Sequence, residues 1–482
     1  MKRTYENALR LLESRRRTAR PKSPGPQDTA QSRNSLKGVP SLVGMKDWLQ
    51  ALGHLDNEID NLNIIHVSGT KGKGSTCAFT RSFLRAHSVR TGYPKRTGLY
   101  TGPHLQSIRE RIQIDDHPVP EDMFTRYFFE VWDRIMTQNI EQDLGITRKP
   151  RYLQLLALLA FHTFIKEEVD AAIFEVHHGG EYDATNVIQK PVATGITSLG
   201  MDHVAQLGPT IETIAWHKAG IFKSGAPAFS VVQEPGCTEV MRNRALDKGT
   251  TLTFVSSNDC LPTDGRFLSV PVQRLNCSLA LELTKAFLRA KAPDHTLSDG
   301  DIYNGIERFL LTGRFEIIEE GKIRWFVDGA HNILSLAQVA EWFGTNGNNA
   351  QKCRVLIFSH LSEERDGVSL VRSLAHALVT NNARPDHVVF TSYEEKDNTS
   401  TSRMKVPHSP FHDLCASYSR VWKDIDPHAT IVVAPTIEKA VHLVREIGIQ
   451  ENNVDVLVTG SLYMVGGALR FLRPPLYDDM IL

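Results

Sequence analysis

Three glycines, two lysines and a serine fall within seven residues, from Gly69 to Ser75, directly behind the strand-like run NIIHV at 63–67. A strand that ends in a tight glycine turn and then enters a helix presents successive backbone N–H groups and the positive end of the helix dipole. That is a cradle for phosphate. Gly69, Gly72 and Gly74 let the backbone approach a ligand closely. Lys73 can reach terminal phosphates, and the Ser75 hydroxyl can bind Mg²⁺. Gly74 separates the lysine from the serine, so the string is not a strict Walker A motif. The bland alternative is a glycine-rich turn with solvated lysines. The strand before it and the helix after it favour phosphate.

Three further stretches carry polar residues near the ends of strand-like runs, where open α/β sheets bind their ligands. IFEVHHGGEYDATN places Glu175 near a strand end, followed by His177, His178 and a glycine pair. ITSLGMDHVAQLG places Asp202 and His203 just past another. IETIAWHKAGIFKSG places Lys218 at helical spacing. Mg²⁺ prefers oxygen, which makes Glu175 a sensible ligand and His203 a less usual one. Adjacent His177 and His178 suit positioning or substrate-facing roles better than a shared zinc. On spacing alone, Lys218 reads as a solvated surface lysine. The residues by themselves point to a Mg-ATP enzyme with an unspecified acceptor.

The elements that must hold these residues alternate. Short β-type runs (NIIHV, AAIFEV, ATGITSL, AFSVV) are separated by helical stretches, which suggests parallel strands with helical crossovers. A second series (IRWFVDGA, CRVLIFS, HVVFTS, TIVVAP, VDVLVTG) predicts a smaller α/β domain beginning near residue 310. The 482 residues are too many for one compact domain. The division expected is 1–308 and 309–482. Residues 21–40, rich in Pro, Ser and Gly, and the polar stretch 392–410 read as loops. The first 37 residues hold ten Lys or Arg against three acids, which admits a transit-peptide reading. Glu6 and Glu13 favour instead a first amphipathic helix with Tyr5, Ala8, Leu11 and Leu12 on one side.

Lys plus Arg and Asp plus Glu both number 55, and the zero net charge argues against a dedicated nucleic-acid binder. No apolar run reaches membrane-spanning length. The six scattered cysteines contain no C-x-x-C pair, so free thiols in a reducing compartment are expected. No G-x-G-x-x-G follows a strand, which sets aside a dinucleotide oxidoreductase.

HVSGTKGKGST, RTGLYTGPHL, GGEYDATNVI, DHVAQLGPTIETIAWHKAGIFK, VDGAHN and VLVTGS together resemble folylpolyglutamate synthase in its fungal form. That family lies within the Mur-ligase-like ATP-dependent amide ligases, and the likeness runs from about Thr4 to Leu472. The resemblance implies a P-loop ATP-binding domain followed by a smaller Rossmann-like α/β domain. It implies attachment of L-glutamate to the γ-carboxylate of a folate through an acyl phosphate. Gly69, Thr70, Lys71, Gly72, Lys73, Gly74 and Ser75 match its P-loop, Gln273 and Asn276 its nucleotide contacts, and Arg314, Asp328 and His331 its second-domain residues that reach ATP. Ser75, Glu175 and His203 match its magnesium ligands. Lys73, His203 and Lys218 carry its catalytic roles, with Lys218 as a carbamate. ATP, Mg²⁺ and a monovalent cation such as K⁺ are the implied cofactors. A cytoplasmic monomer is expected, with a mitochondrial form as the alternative.

The chain departs from the family pattern at four places. Gly102 stands where the family has a serine whose hydroxyl helps bind magnesium. Thr312 replaces a proline before Gly313 and Arg314. The glycine-histidine pair before the nucleotide Gln-x-x-Asn is absent, and Tyr463 replaces a histidine. Gly102 in particular leaves other readings open: a ligase for another acid, of the dihydrofolate synthase or secondary-metabolite type, or a paralogue without activity.

Overall fold

A computed structural model describes residues 2–16, 40–137, 148–262, 268–347, 352–360, 366–392, 408–451 and 453–473. The stretches expected as loops over 21–40 and 392–410 therefore lie outside the described residues except at their ends. Of the second, positions 408–410 begin the helix His408–Ile425. The chain forms two compact units. The first comprises Met1–His104 and Ile108–Leu310, the second Leu105–Ser107 and Leu311–Leu482.

The first unit is built on β1 (Ile65–Ser68), β2 (Thr97–Tyr100), β3 (Ile112–Ile114), β4 (His117–Pro118), β5 (Ala171–Glu175), β6 (Ala193–Ile196), β7 (Ala228–Val231) and β8 (Leu252–Val255). Their order in the sheet is β4-β3-β2-β5-β1-β6-β7-β8. Six of them run parallel, and β3 and β4 add an antiparallel edge. Every residue of β1, β2, β5, β6 and β7 is buried. Helices cover both faces, which is why these strands read as apolar runs rather than alternating ones. On one face lie the helices Tyr5–Glu13, Met45–Ala51, Glu121–Trp132 and Tyr152–Lys166, in a core with Trp48, Phe128, Phe161 and Phe174. On the other, Lys73–Thr91 packs against Pro271–Lys291 around Leu84, Leu279 and Phe287.

The N-terminal helix forms as its pattern predicts. Thr4 caps it through the Asn7 amide, Ala8 and Leu12 are buried, and Tyr5 and Leu11 pack against the same core. The chain leaves β1 toward β2 on one side and leaves β6 toward β7 on the other. The direction of winding thus reverses between β1 and β6, and such reversals open a crevice at the carboxyl ends of the strands.

In the second unit β9 (Glu316–Glu320), β10 (Ile323–Val327), β11 (Cys353–Phe358), β12 (His387–Thr391), β13 (Thr430–Ala434) and β14 (Val454–Thr459) are ordered β13-β12-β11-β14-β10-β9. All are parallel except β9, which pairs antiparallel with β10. The helices Ile437–Gln450 and Leu462–Leu472 close a core of Trp325, Val355, Val456 and Met464. All six cysteines are free thiols. Among the described residues no helix is long and apolar enough to cross a membrane.

Candidate active site

The glycine turn sits at the crevice of the first unit. Ser68 ends β1, and Lys73 begins the following helix. Gly69 (φ 145°) and Gly72 (φ 90°) occupy backbone conformations that side chains rarely adopt. A Cβ on Gly69 would strike the Thr197 hydroxyl, and one on Gly72 would strike the Asn276 carboxamide. The cradle is narrower than the expected run of free amides. The Thr70 and Lys71 N–H groups donate to Ser198 O at 3.0 and 3.1 Å, tying the turn to the loop after β6. The amides of the helix's first turn, Lys73 to Ser75, have no preceding turn to bond and remain for an anion.

Two lysines meet on one acceptor: Lys73 Nζ donates to Gly69 O at 3.1 Å, and Lys218 Nζ donates to the same oxygen at 2.7 Å. Lys71 Nζ lies 3.4 Å from Asp202. Lys218 ends the helix Ile211–Lys218, which Thr210 caps through the Thr213 amide. It is 4% exposed, so the surface reading drawn from its spacing is wrong. The helix has turned this residue against the P-loop, a tertiary fact that helical spacing does not carry. Burial, reinforced by the nearby charge of Lys73, pushes its ammonium well below the ordinary lysine range.

Glu175 is the last residue of β5 and is buried. Its Oε2 accepts the Thr101 hydroxyl and, at 3.2 Å, the Gly102 amide. Among the described residues Oε1 accepts no hydrogen bond. Arg111 is buried beside this group, donates from Nε to His104 Nδ1 at 2.9 Å, and brings its Nη1 to where a Cβ on Gly102 would stand. His203 takes a left-handed backbone (φ 52°) at the start of the short helix Val204–Leu207, and its ring meets that of His178 edge-on at 4.6 Å. His177 bonds Tyr100 Oη at 2.6 Å and faces Asp183 at 3.5 Å. Burial alone would raise the Asp183 carboxyl, but His177 and the backbone amides of His178 and Thr185 outweigh it and hold the group well below the usual carboxylate range.

Gln273 and Asn276 lie on the helix Pro271–Lys291, both buried, with Asn276 Nδ2 donating to Gln273 Oε1 at 3.2 Å. Gln273 Nε2, Asn276 Oδ1 and Thr197 Oγ1 are buried without a protein partner. Buried polar atoms are normally satisfied, so three orphans around the glycine turn mark a place where a polar ligand completes the bonding. No group of three His, Cys, Asp or Glu able to hold a metal occurs among the described residues. Mg²⁺ does not require one, since it is usually held by one or two carboxylates plus water and substrate phosphates rather than by an all-protein cage.

In the second unit, Asp328 follows β10 and accepts the Phe315 amide at 2.9 Å. Arg314 Nη1 stands 3.7 Å from its other oxygen. Burial pushes the Asp328 carboxyl up, against the pull of Arg314. His331 Nδ1 bonds Gly329 O at 2.8 Å, just before the helix Ile333–Asn346. The structure thus gathers Arg314, Asp328 and His331 at the carboxyl end of one strand. Sequence reasoning passed over Tyr100, Thr101, Arg111 and Asp183. Tyr100, Thr101 and Asp183 lay in stretches already singled out without being assigned a role, and Arg111 has no periodic or compositional signal.

A P-loop sheet with a buried lysine at its switch point, followed in the chain by a Rossmann-like unit, defines the class: a Mur-ligase-like ATP-dependent ligase. Residues 312–471 match the family described as dihydrofolate synthetase, C-terminal domain. The chain is 38% identical over 461 residues to the folylpolyglutamate synthase of Neurospora crassa, covering 90% of this chain and 85% of that one. It is 38% identical over 486 residues to a probable folylpolyglutamate synthase of Schizosaccharomyces pombe, covering 96% and 93%. Its fold matches that of Mycobacterium tuberculosis folylpolyglutamate synthase complexed with ADP, with a TM-score of 0.73, 23% identity and coverage of 97% and 98%. The chain belongs to the folylpolyglutamate synthase family.

Proposed function

We propose that the chain extends reduced folates by ATP-dependent addition of L-glutamate to the γ-carboxylate, and that the residues above divide the work as follows. The carboxylate oxygen attacks the γ-phosphorus of ATP, ADP leaves, and an acyl phosphate forms. The glutamate amine then attacks the acyl carbon, the phosphate leaves with the bonding pair, and the amine proton is lost. A free carboxylate is a poor acyl donor, and phosphoryl transfer between anions requires positive charge on the phosphates. Lys73 supplies it by shifting its ammonium from the Gly69 carbonyl to the terminal phosphates. The first-turn amides and the Asn276 and Gln273 side chains hold the nucleotide. Glu175, Ser75 and His203 would hold Mg²⁺, which when bound neutralises developing charge on the phosphoryl oxygens.

Lys218 acts as a carbamate. Its neutral amine adds to CO2, forming an N–C bond and releasing a proton, and the new negative head would lie near the ammonium groups of Lys73 and Lys71. The observation that carries the reading is the pair of lysine heads on the Gly69 carbonyl beneath the glycine turn.

The test is incubation with Mg-ATP, L-glutamate and tetrahydrofolate, with products weighed by mass spectrometry and Lys73→Ala as the blank. Products heavier by whole glutamate units are expected. ATP binding without any glutamate addition across several folates would overturn the reading. Replacing K⁺ by Na⁺ in the same assay measures the dependence on a monovalent cation.

A further inference from the structure

A line of side chains behind Glu175 takes no part in the chemistry just described, yet it ends on a buried carboxylate that orders its donors and acceptors. Tyr100, the last residue of β2, is buried, and its oxygen lies 2.6 Å from His177 Nε2. His177 Nδ1 lies 3.5 Å from Asp183 Oδ1. The same oxygen receives the Thr185 amide at 3.0 Å and the Thr185 hydroxyl at 2.8 Å, while Oδ2 receives the His178 amide at 3.0 Å. Thr185 Oγ1 in turn lies 2.8 Å from Nε2 of buried His66 on β1.

Asp183 is a carboxylate and can only accept, so we assign the ring proton to the His177 nitrogen that faces it at 3.5 Å, which leaves Nε2 to accept from the Tyr100 hydroxyl. The Thr185 hydroxyl donates to Asp183, so it accepts from His66. Protons therefore run inward to Asp183 from both sides, and β2, the loop after β5 and β1 are fastened to one buried anion.

This line closes a ring around Glu175. The two donors to Glu175 Oε2 are Thr101 and Gly102, the residues next after Tyr100. His177 is the second residue after Glu175, and Tyr100 is in register with Phe174 across the two strands. The ends of β2 and β5 are thus joined twice, once through the Glu175 carboxylate and once through Tyr100 and His177. We propose that Tyr100, His177 and Asp183 are positioning residues that fix the Glu175 carboxylate for the metal, a proposal that rests on the assignment of Glu175 as a metal ligand. Groups that orient a metal ligand typically account for about 10–100-fold in metal affinity, and one bond further out about 3–10-fold is expected.

The readout is binding of the non-hydrolysable analogue AMPPCP, measured by calorimetry across a series of free Mg²⁺ concentrations, with a thermal melt on each protein. Tyr100→Phe keeps the ring and removes the hydroxyl. His177→Asn keeps a donor toward Asp183 and loses the link to Tyr100, and it serves if the first variant does not fold. Either change should raise the Mg²⁺ midpoint about 3–10-fold, with Glu175→Gln raising it further. A midpoint that stays within about twofold of the parent, while Glu175→Gln shifts it, would overturn the positioning role and leave the metal assignment standing. A lowered melting temperature with an unmoved midpoint would also overturn it, since the line would then be a brace only. An unmoved midpoint in Glu175→Gln itself would remove the metal assignment, and the positioning role with it.

Discussion

Restoring a serine at position 102 separates two contributions that the structure sets against each other. Position 102 has no left-handed φ, so the backbone accepts a side chain. The space does not: the new Cβ would stand 3.1 Å from Arg111 Cζ and closer still to its Nη1. Arg111 is 7% exposed, and its guanidinium is held by its bond to His104. To admit the serine the end of this side chain must shift, and the expected consequence is loss of that bond. Losing a hydrogen bond from a charged donor in a buried place costs about 1.5–3 kcal/mol. At about 2–4 °C per kcal/mol for a large domain, Gly102→Ser should lower the melting temperature by about 3–12 °C. Against this, the hydroxyl would stand one residue from Thr101, beside the Glu175 carboxylate, and offer the metal another oxygen. The Mg²⁺ needed for half-maximal ligase rate should therefore fall. Calorimetry and a rate-against-Mg²⁺ series on parent and variant measure the two effects separately. An unchanged melting temperature would refute the placement of Arg111 against Gly102. A lower melting temperature with an unchanged Mg²⁺ requirement would refute the idea that the hydroxyl reaches the metal.

Three further changes test other parts of the site and frame. Stripping CO2 from the buffer should lower the ligase rate and bicarbonate should restore it, while Lys218→Gln should lose about 100-fold or more and not respond to bicarbonate; a rate indifferent to CO2 would dismiss the carbamate. Gly72→Ala places a methyl into the Asn276 carboxamide at a φ of 90°, so AMPPCP affinity by calorimetry should fall at least about tenfold, at roughly 1.4 kcal/mol per factor of ten; wild-type affinity would show that the turn yields. His54 Nε2 meets His162 Nδ1 at 2.8 Å, with His162 Nε2 on Glu130 at 2.8 Å, and burial with the His162 charge lowers His54 from 6.5 to about 4. The unfolded chain therefore binds the extra proton between pH 6.5 and about 4 while the folded chain does not, so stability is intact above 6.5 and falls as pH drops through that window. The loss is about 3 kcal/mol at 1.36 kcal/mol for each pH unit. His66 and His178 are lowered in the same sense, so urea midpoints from about pH 7 to 4.5 should fall in both proteins but less steeply in His54→Phe; equal slopes in both would place the titration elsewhere.

What the sequence made legible follows from where each strand lies. β1, β5, β6 and β7 are covered on both faces, so they appear as continuous apolar runs. β10 through β14 carry similar apolar runs, though the edge strand β13 leaves several residues partly exposed. β8 and β9 lie at sheet edges, and most of their residues are not buried, so their patterns are mixed. β2 is central and buried but short, and it carries Gly98 because a Cβ there would press on the Phe164 ring. A strand whose side chain has been deleted to make room for a helix loses the signal that would have identified it. The three residues Leu105–Ser107 that count with the second unit are beyond any composition argument, because only the folded chain decides which unit a short loop joins.

The site divides along the same line. The glycine turn could be read because its glycines are required by local backbone conformation and close approach. Lys218 could not, because its burial is created by the P-loop it packs against. The three-dimensional setting also explains why a lysine is useful there. An amine buried beside Lys73, with Lys71 nearby, has three ways to avoid standing as an uncompensated cation. It can find a carboxylate, lose its proton, or become an anion. Among the described residues no carboxylate forms an ion pair with its ammonium, and its polar contact is the Gly69 carbonyl. Burial takes the second route by lowering its proton affinity. A deprotonated amine is the form that attacks CO2, so the second route is the entry to the third. The environment that makes an ammonium costly at this position is therefore also what prepares the proposed carbamate, whose negative head would face the ammonium groups of Lys73 and Lys71.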